Sequence, residues 1–129
     1  QTEHYTEKYL HLTYLRDLLY NTLSEIPDIL WNTPLDTPVL PHILNLSFIG
    51  VDAHALTLLL SQQGVMVSAG AACSNGLNEP SHVIMAMFHD EARARSAIRI
   101  SLSHENTEEE CITAVEAIKD AVAYLRRIS

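Results

Sequence analysis

Ala97-Ile98-Arg99-Ile100-Ser101-Leu102-Ser103, followed by His104-Glu105-Asn106-Thr107-Glu108-Glu109-Glu110, decides the fold. The first seven residues alternate. Ile98, Ile100 and Leu102 share one face and Arg99, Ser101 and Ser103 the other, the period of a half-buried strand. Thr107 with Glu110 three residues on forms a capping box, so a helix begins there. It is expected to run to about Arg127, with Ile112, Val115, Ile118, Val122 and Leu125 on its apolar face. Glu108 to Glu110 at its start and Arg126 and Arg127 at its end complement the helix dipole.

Working outward, Asp90 to Arg95 is a charged, alanine-rich patch, and Pro80 and Ser81 start a short helix through Met87. Gly70 to Asn78 is built from small and polar residues and reads as a loop. Val65 to Ser68 is apolar and β-branched, a short buried strand. Asp52 caps a helix running to about Gln63, where Gly64 suits the C-terminal end. Ile43 to Ile49 alternates as a strand, with Ile43, Asn45, Ser47 and Ile49 against Leu44, Leu46 and Phe48. Pro27 to Pro41 holds four of the five prolines and is largely extended or looped, with Ile29 to Trp31 as an edge strand. Thr2 to Glu25 is a helix, with Tyr5, Tyr9, Leu12, Leu15, Leu19 and Leu23 recurring at spacings of three and four. These elements predict an α+β fold. A small three- or four-stranded sheet carries helices mainly on one face. A single domain is expected over residues 1–129: a leading helix over 1–25, then the body over 26–129.

Composition narrows the function. With 129 residues and 47% apolar content, the chain can build one core. Its net charge of −8 opposes nucleic acid and anionic lipid as partners. No stretch is long and apolar enough to span a bilayer, and the N-terminus lacks a signal-peptide pattern. Two distant cysteines, Cys73 and Cys111, suggest free thiols and a reducing, cytoplasmic setting rather than a disulfide framework.

Few residues bear chemistry. Cys73 lies in Ser68-Ala69-Gly70-Ala71-Ala72-Cys73-Ser74-Asn75-Gly76. It is either a small buried cysteine at a strand end or an accessible nucleophile on a mobile loop of about residues 69–79. Cys111, spaced helically from Val115 and Ile118, is a core or boundary residue. Arg99 is either a solvated strand-face charge or a bidentate carboxylate clamp, and periodicity leaves both open. Seven histidines are present, but none falls in a metal-ligand spacing, so no metal site is expected. Phosphate loops and nucleophile elbows are absent.

The run from Val67 through Gly76, then Glu79-Pro80-Ser81-His82-Val83-Ile84-Met85-Ala86-Met87, resembles the active-cysteine segment of NifS-like cysteine desulfurases, in the class V aminotransferase family. Ala97 to Ser103, Asn106 to Glu110, Ile43 to Phe48 and Gly50-Val51-Asp52 resemble the family's flanking elements. The resemblance covers roughly residues 40 to 127, and its cysteine segment is the specific part. It implies the small, C-terminal domain of a pyridoxal-phosphate (PLP) enzyme converting L-cysteine to L-alanine plus sulfane sulfur. It also implies that Cys73 takes the sulfur as a persulfide and Arg99 binds the substrate carboxylate. A sulfur-acceptor protein, such as an iron–sulfur scaffold, follows as partner, and full members are homodimers. The long cysteine loop resembles the group serving iron–sulfur assembly or tRNA thiolation.

Lysine occurs twice, as Lys8 and Lys119, and neither matches the family's Schiff-base lysine, which belongs to a large domain. The chain alone is therefore expected not to hold PLP covalently and to be inactive, as part of a longer enzyme or a degenerate stand-alone domain. The first helix would lead from that large domain, its missing partner. Phe88 and Ser103 stand where the family tends to have glycine. Competing readings are a sulfur-carrier or interaction module working through Cys73, and the small domain of a selenocysteine lyase or cysteine-sulfinate desulfinase.

Overall fold

A computed structural model describes residues 2–33, 42–65, 68–69 and 82–129. The elements are α1 (Thr2–Leu23), β1 (Ile29–Trp31), β2 (Ile43–Phe48), α2 (Ala53–Gln62), β3 (Ser68–Ala69), α3 (His82–Phe88), α4 (Glu91–Arg95), β4 (Ala97–Ser101) and α5 (Glu108–Ile128). The four strands form one antiparallel sheet in the order β1-β2-β4-β3. This is the expected α+β fold, with a four-stranded sheet.

Alternation in the two central strands sorts the sheet faces. Leu44, Leu46 and Phe48 of β2 and Ile98 and Ile100 of β4 point into the main core, joined by Leu102. Leu15, Leu19 and Leu23 of α1, Leu56 and Leu60 of α2 and Val115, Ile118 and Val122 of α5 close that core from the helix side. The opposite face carries a smaller cluster of Ile84, Ala94 and Ala97, covered by α3 and α4. The three longer helices thus share one face, and the two short ones cap part of the other.

The ends of the helices follow local chemistry. The Asp52 side chain accepts a hydrogen bond from Ala55 N at 3.0 Å. At the other end of α2, Gly64 takes φ +83, Gly64 N donates to Ser61 O at 3.1 Å and Val65 N to Leu60 O at 2.8 Å. Together these form a Schellman closure. The capping box of α5 is complete: Glu110 N donates to Thr107 Oγ1 at 3.1 Å and Thr107 N to Glu110 Oε1 at 3.0 Å.

Several expectations change. The charged, alanine-rich patch Asp90 to Arg95, for which the sequence predicts no element, holds a helix: Asp90 Oδ1 accepts from Arg93 N at 3.0 Å and caps α4. Val65 is not in a strand; β3 is Ser68–Ala69, while residues 66 and 67 lie outside the described residues. The loop about 69–79, the proline-rich residues 34–41 and the helix start at Pro80 and Ser81 lie largely or wholly outside them too. On α5 the buried stripe runs through Cys111, Val115, Ile118 and Val122, while Ile112 is 45% exposed. Both Cys111 and Ile112 sit a helical turn from Val115, and the winding of α5 against α1 selects the cysteine.

α1 and α5 run side by side in the same direction. His11 Nε2 contacts Asn106 O at 2.7 Å near the start of α5, and Lys119 Nζ meets Glu25 Oε1 at 2.9 Å farther along both chains. Residues before His11 therefore project beyond α5. That is why Tyr9, expected on the buried stripe, is 50% exposed and Leu10 is 60% exposed.

Candidate active site

The face of the sheet opposite the main core holds the polar groups. In register, Asn45 of β2 pairs with Arg99 of β4, Ser47 with Ala97, and Ser68 of β3 with Arg99. Cross-strand partners share a face, with Cβ atoms ~5 Å apart. Arg99 is half-buried, and its Nε is a buried donor with no hydrogen-bond partner among the described residues. A buried, unpaired donor on a guanidinium is costly, and an anion is the partner that best relieves it.

Beside Arg99 lies a network the sequence reading missed. Arg93 Nε donates to Asn32 Oδ1 at 2.6 Å, and Arg93 Nη2 donates to Trp31 O at 3.1 Å. Asn32 Nδ2 donates to Asn45 Oδ1 at 2.8 Å and to Ser47 Oγ at 3.0 Å. Ser47 Oγ donates in turn to Arg93 O at 2.6 Å. Asn32, Ser47 and Ser96 are the buried polar residues among those described, and all three lie in or beside this network. Each of these three buried side chains thereby finds a partner. The Arg93 guanidinium also lies over the Phe88 ring, 3.5 Å from its centroid. Phe88 is thus a cation–π platform that closes α3 against α4. His89 beyond it makes the turn in the left-handed region, at φ +53. The one signal available in the sequence was Asn45 and Ser47, two polar residues on the same side of the alternation in β2.

Of the two residues singled out beforehand, Arg99 stands on this polar face, and Cys73 lies outside the described residues. β3, which pairs with β4 at Arg99 and Ile98, ends four residues before Cys73 in sequence. Cys111 is 4% exposed, on the helix side of the sheet. Burial, then repulsion from Glu110 and Glu108, pushes its thiol pKa up. A cavity of about 640 Å³ opens between the end of α2, the end of β4 and the start of α5, with Val65, Ile100, Cys111 and Glu110 in its lining. It lies on the core side and does not include Arg99.

The lysines can be tested against a Schiff base, which needs a neutral amine. Lys8 is half-buried on α1. Lys119 is held by Glu25, whose hydrogen bond raises the ammonium pKa against a smaller desolvation effect. Both lie on helices of the main-core side, away from the Arg99 face. Among the described residues, no three His, Cys, Asp or Glu side chains gather as a metal site. No described helix is long and apolar enough to cross a membrane.

Residues 4–113 match the aminotransferase class V family, and the chain belongs to it. Among its relatives, the IscS-like cysteine desulfurase of Mycobacterium tuberculosis is 38% identical over 122 residues, which are 94% of this chain and 31% of the relative. The cysteine desulfurase IscS of Buchnera aphidicola is 32% identical over 123 residues, 95% of this chain and 30% of the relative. A solved NifS-like protein superposes with a TM-score of 0.80 at 33% identity, over 96% of this chain and 30% of that one. The NifS-like protein from Rickettsia africae gives 0.79 at 26% identity, over 95% of this chain and 31% of that one. The chain thus spans about a third of the length of the proteins it matches.

Proposed function

We propose that this chain is the small domain of a PLP-dependent cysteine desulfurase. Cys73 would receive sulfur from L-cysteine, and Arg99 would bind the substrate carboxylate. The observation that carries the reading is Arg99: a buried, unpaired guanidinium donor, beside the strand that leads to the Cys73 segment. A rigid strand is a suitable mount for a carboxylate clamp. The similarity to cysteine desulfurases supplies the substrate class.

The balance is simple. The Cys73 thiolate attacks the sulfur of L-cysteine, an S–S bond forms, the substrate's C–S bond breaks, and its β-carbon gains a proton. Cys73 ends as a persulfide and the product is L-alanine. PLP, bound by a companion large domain, would supply the electron sink that makes the C–S bond labile. Arg99 fixes the substrate's orientation, and Cys73 acts as nucleophile in its thiolate form. The persulfide then passes to an acceptor protein such as an iron–sulfur scaffold, in a reducing, cytoplasmic compartment. The full assembly would be a homodimer.

The test is sulfide release from L-cysteine with PLP and a reductant. The chain alone should release none. Supplied with a PLP-binding large domain, it should be active, and Cys73→Ala should abolish that activity. Release by the chain alone, lost in Cys73→Ala, would show that it holds its own cofactor and is a minimal enzyme.

A further inference from the structure

Hydrogen-bond polarity along the Arg93 network has a consequence for Arg99. Arginine only donates, so the Asn32 atom that meets Arg93 Nε at 2.6 Å must be its carbonyl oxygen. That fixes the Asn32 amide. Its Nδ2 then faces Asn45 at 2.8 Å, so the Asn45 atom receiving it must be Oδ1. The order of donors and acceptors leaves Asn45 with its Nδ2 pair of donors unused, and these make no hydrogen bond among the described residues. Asn45 is the cross-strand partner of Arg99, on the same face of the sheet. Arg99 Nε is also unused among the described residues. Two neighbouring side chains therefore offer donors with no acceptor between them among the described residues.

We propose that Asn45 and Arg99 form a two-residue carboxylate site, and that Arg93 is a positioning residue which, through Asn32, holds the Asn45 amide with its NH₂ toward the anion. The inference rests on the reading of Arg99 as the substrate-carboxylate residue and adds the second donor and the group that orients it. Geometry favours a carboxylate over a single-atom anion, since its two oxygens can meet two donors at once. The buried link matters because a free asparagine amide can flip and present its oxygen, which would repel the carboxylate. The Phe88 ring beneath Arg93 locks the first donor of the chain in place.

Heteronuclear NMR of the 129-residue chain, titrated with L-alanine, reads both groups directly; ethylamine, which lacks the carboxylate, is the control. The Asn45 side-chain NH₂ and the Arg99 Nε–H signals should shift together and saturate at one affinity, with no response to ethylamine. Asn45→Ala should weaken binding about tenfold, the worth of one hydrogen bond to a charged group. Arg93→Leu should abolish the ligand-induced shift of Asn45 while sparing that of Arg99, and Arg93→Lys, which keeps a donor for Asn32, should restore it. A merely structural Arg93 would move neither ligand-induced shift in a folded variant. If Arg93→Leu fails to fold, Asn45→Ala and the wild-type Asn45 signal still decide. Saturation of Arg99 with Asn45 unmoved overturns this proposal and leaves the function of Arg99 standing. If Arg99 does not respond, both are wrong.

Discussion

The two cysteines have opposite expected chemistries. Cys111 is packed in the stripe of α5, and burial together with Glu110 and Glu108 raises its thiol pKa, so little thiolate forms near neutrality. Iodoacetamide at neutral pH should modify one cysteine per folded chain, and peptide mapping should place it at Cys73. Modification of Cys111 at a similar rate would mean that the α1–α5 seam opens in solution. Arg99 could be recognised as a candidate from its place in the alternation, but its desolvation could not. A mid-strand arginine is usually solvated, and only the strands on either side of β4 show that its Nε is buried.

At the scale of elements, the helix termini were readable because capping is local. Asp52, Gly64 and the Thr107–Glu110 box all act within a few residues of themselves. Glu110 carries a pH dependence. Its hydrogen bond from Thr107 N, then that from Asn106, lowers its pKa below the ordinary 4.5. Its contribution to stability is therefore present above the unfolded value and lost as pH falls through the folded one. Between about pH 6 and 3, denaturant midpoints of Glu110→Gln should fall less steeply than those of the parent chain. Arg126 shows a role that local reading did not reach. It suits the end of α5 by charge, but its guanidinium also donates to Pro27 O at 2.7 Å, Asp28 O at 3.0 Å and Ile49 O at 3.0 Å. It ties α5 to one end of the β1–β2 pair, where β1 begins and β2 stops, and supports the left-handed turn at Asp28, φ +58. Arg126→Ala should lower unfolding free energy by about 1–2 kcal/mol, and Lys should recover only part, having no planar fork.

For the molecule as a whole, the sheet divides two jobs. Its helix side is apolar and carries the stability. Leu46, fully buried at the centre of β2, tests this: Leu46→Ala should cost about 3 kcal/mol in chemical denaturation. That is a large share of the ~5–15 kcal/mol expected of a domain. The other side is polar and carries Arg99, Asn45 and the Arg93 network. α1 adds a third feature, with Tyr9, Leu10 and Tyr14 all at least half exposed along its outer surface. Such a surface is available to a partner. Incubation of the chain with PLP and borohydride should leave neither lysine modified at the level of a specific site. Stoichiometric reduction onto Lys119 would contradict the ion pair with Glu25.

Periodicity and capping, which act over one or two turns or one strand, were enough to determine the α+β class, the alternating strands and most helix ends from the sequence. The two candidate residues were visible there as well, and the resemblance around Cys73 named the chemistry. The tertiary structure alone decided which of Cys111 and Ile112 is buried, and that Arg93, Asn32 and Asn45 join beside Arg99. Those choices depend on contacts between residues far apart in sequence; Arg93 and Asn32, for example, lie 61 positions apart. A pattern confined to neighbouring residues carries no record of contacts at that distance. They arise because burying a polar group obliges it to find a partner wherever the fold brings one.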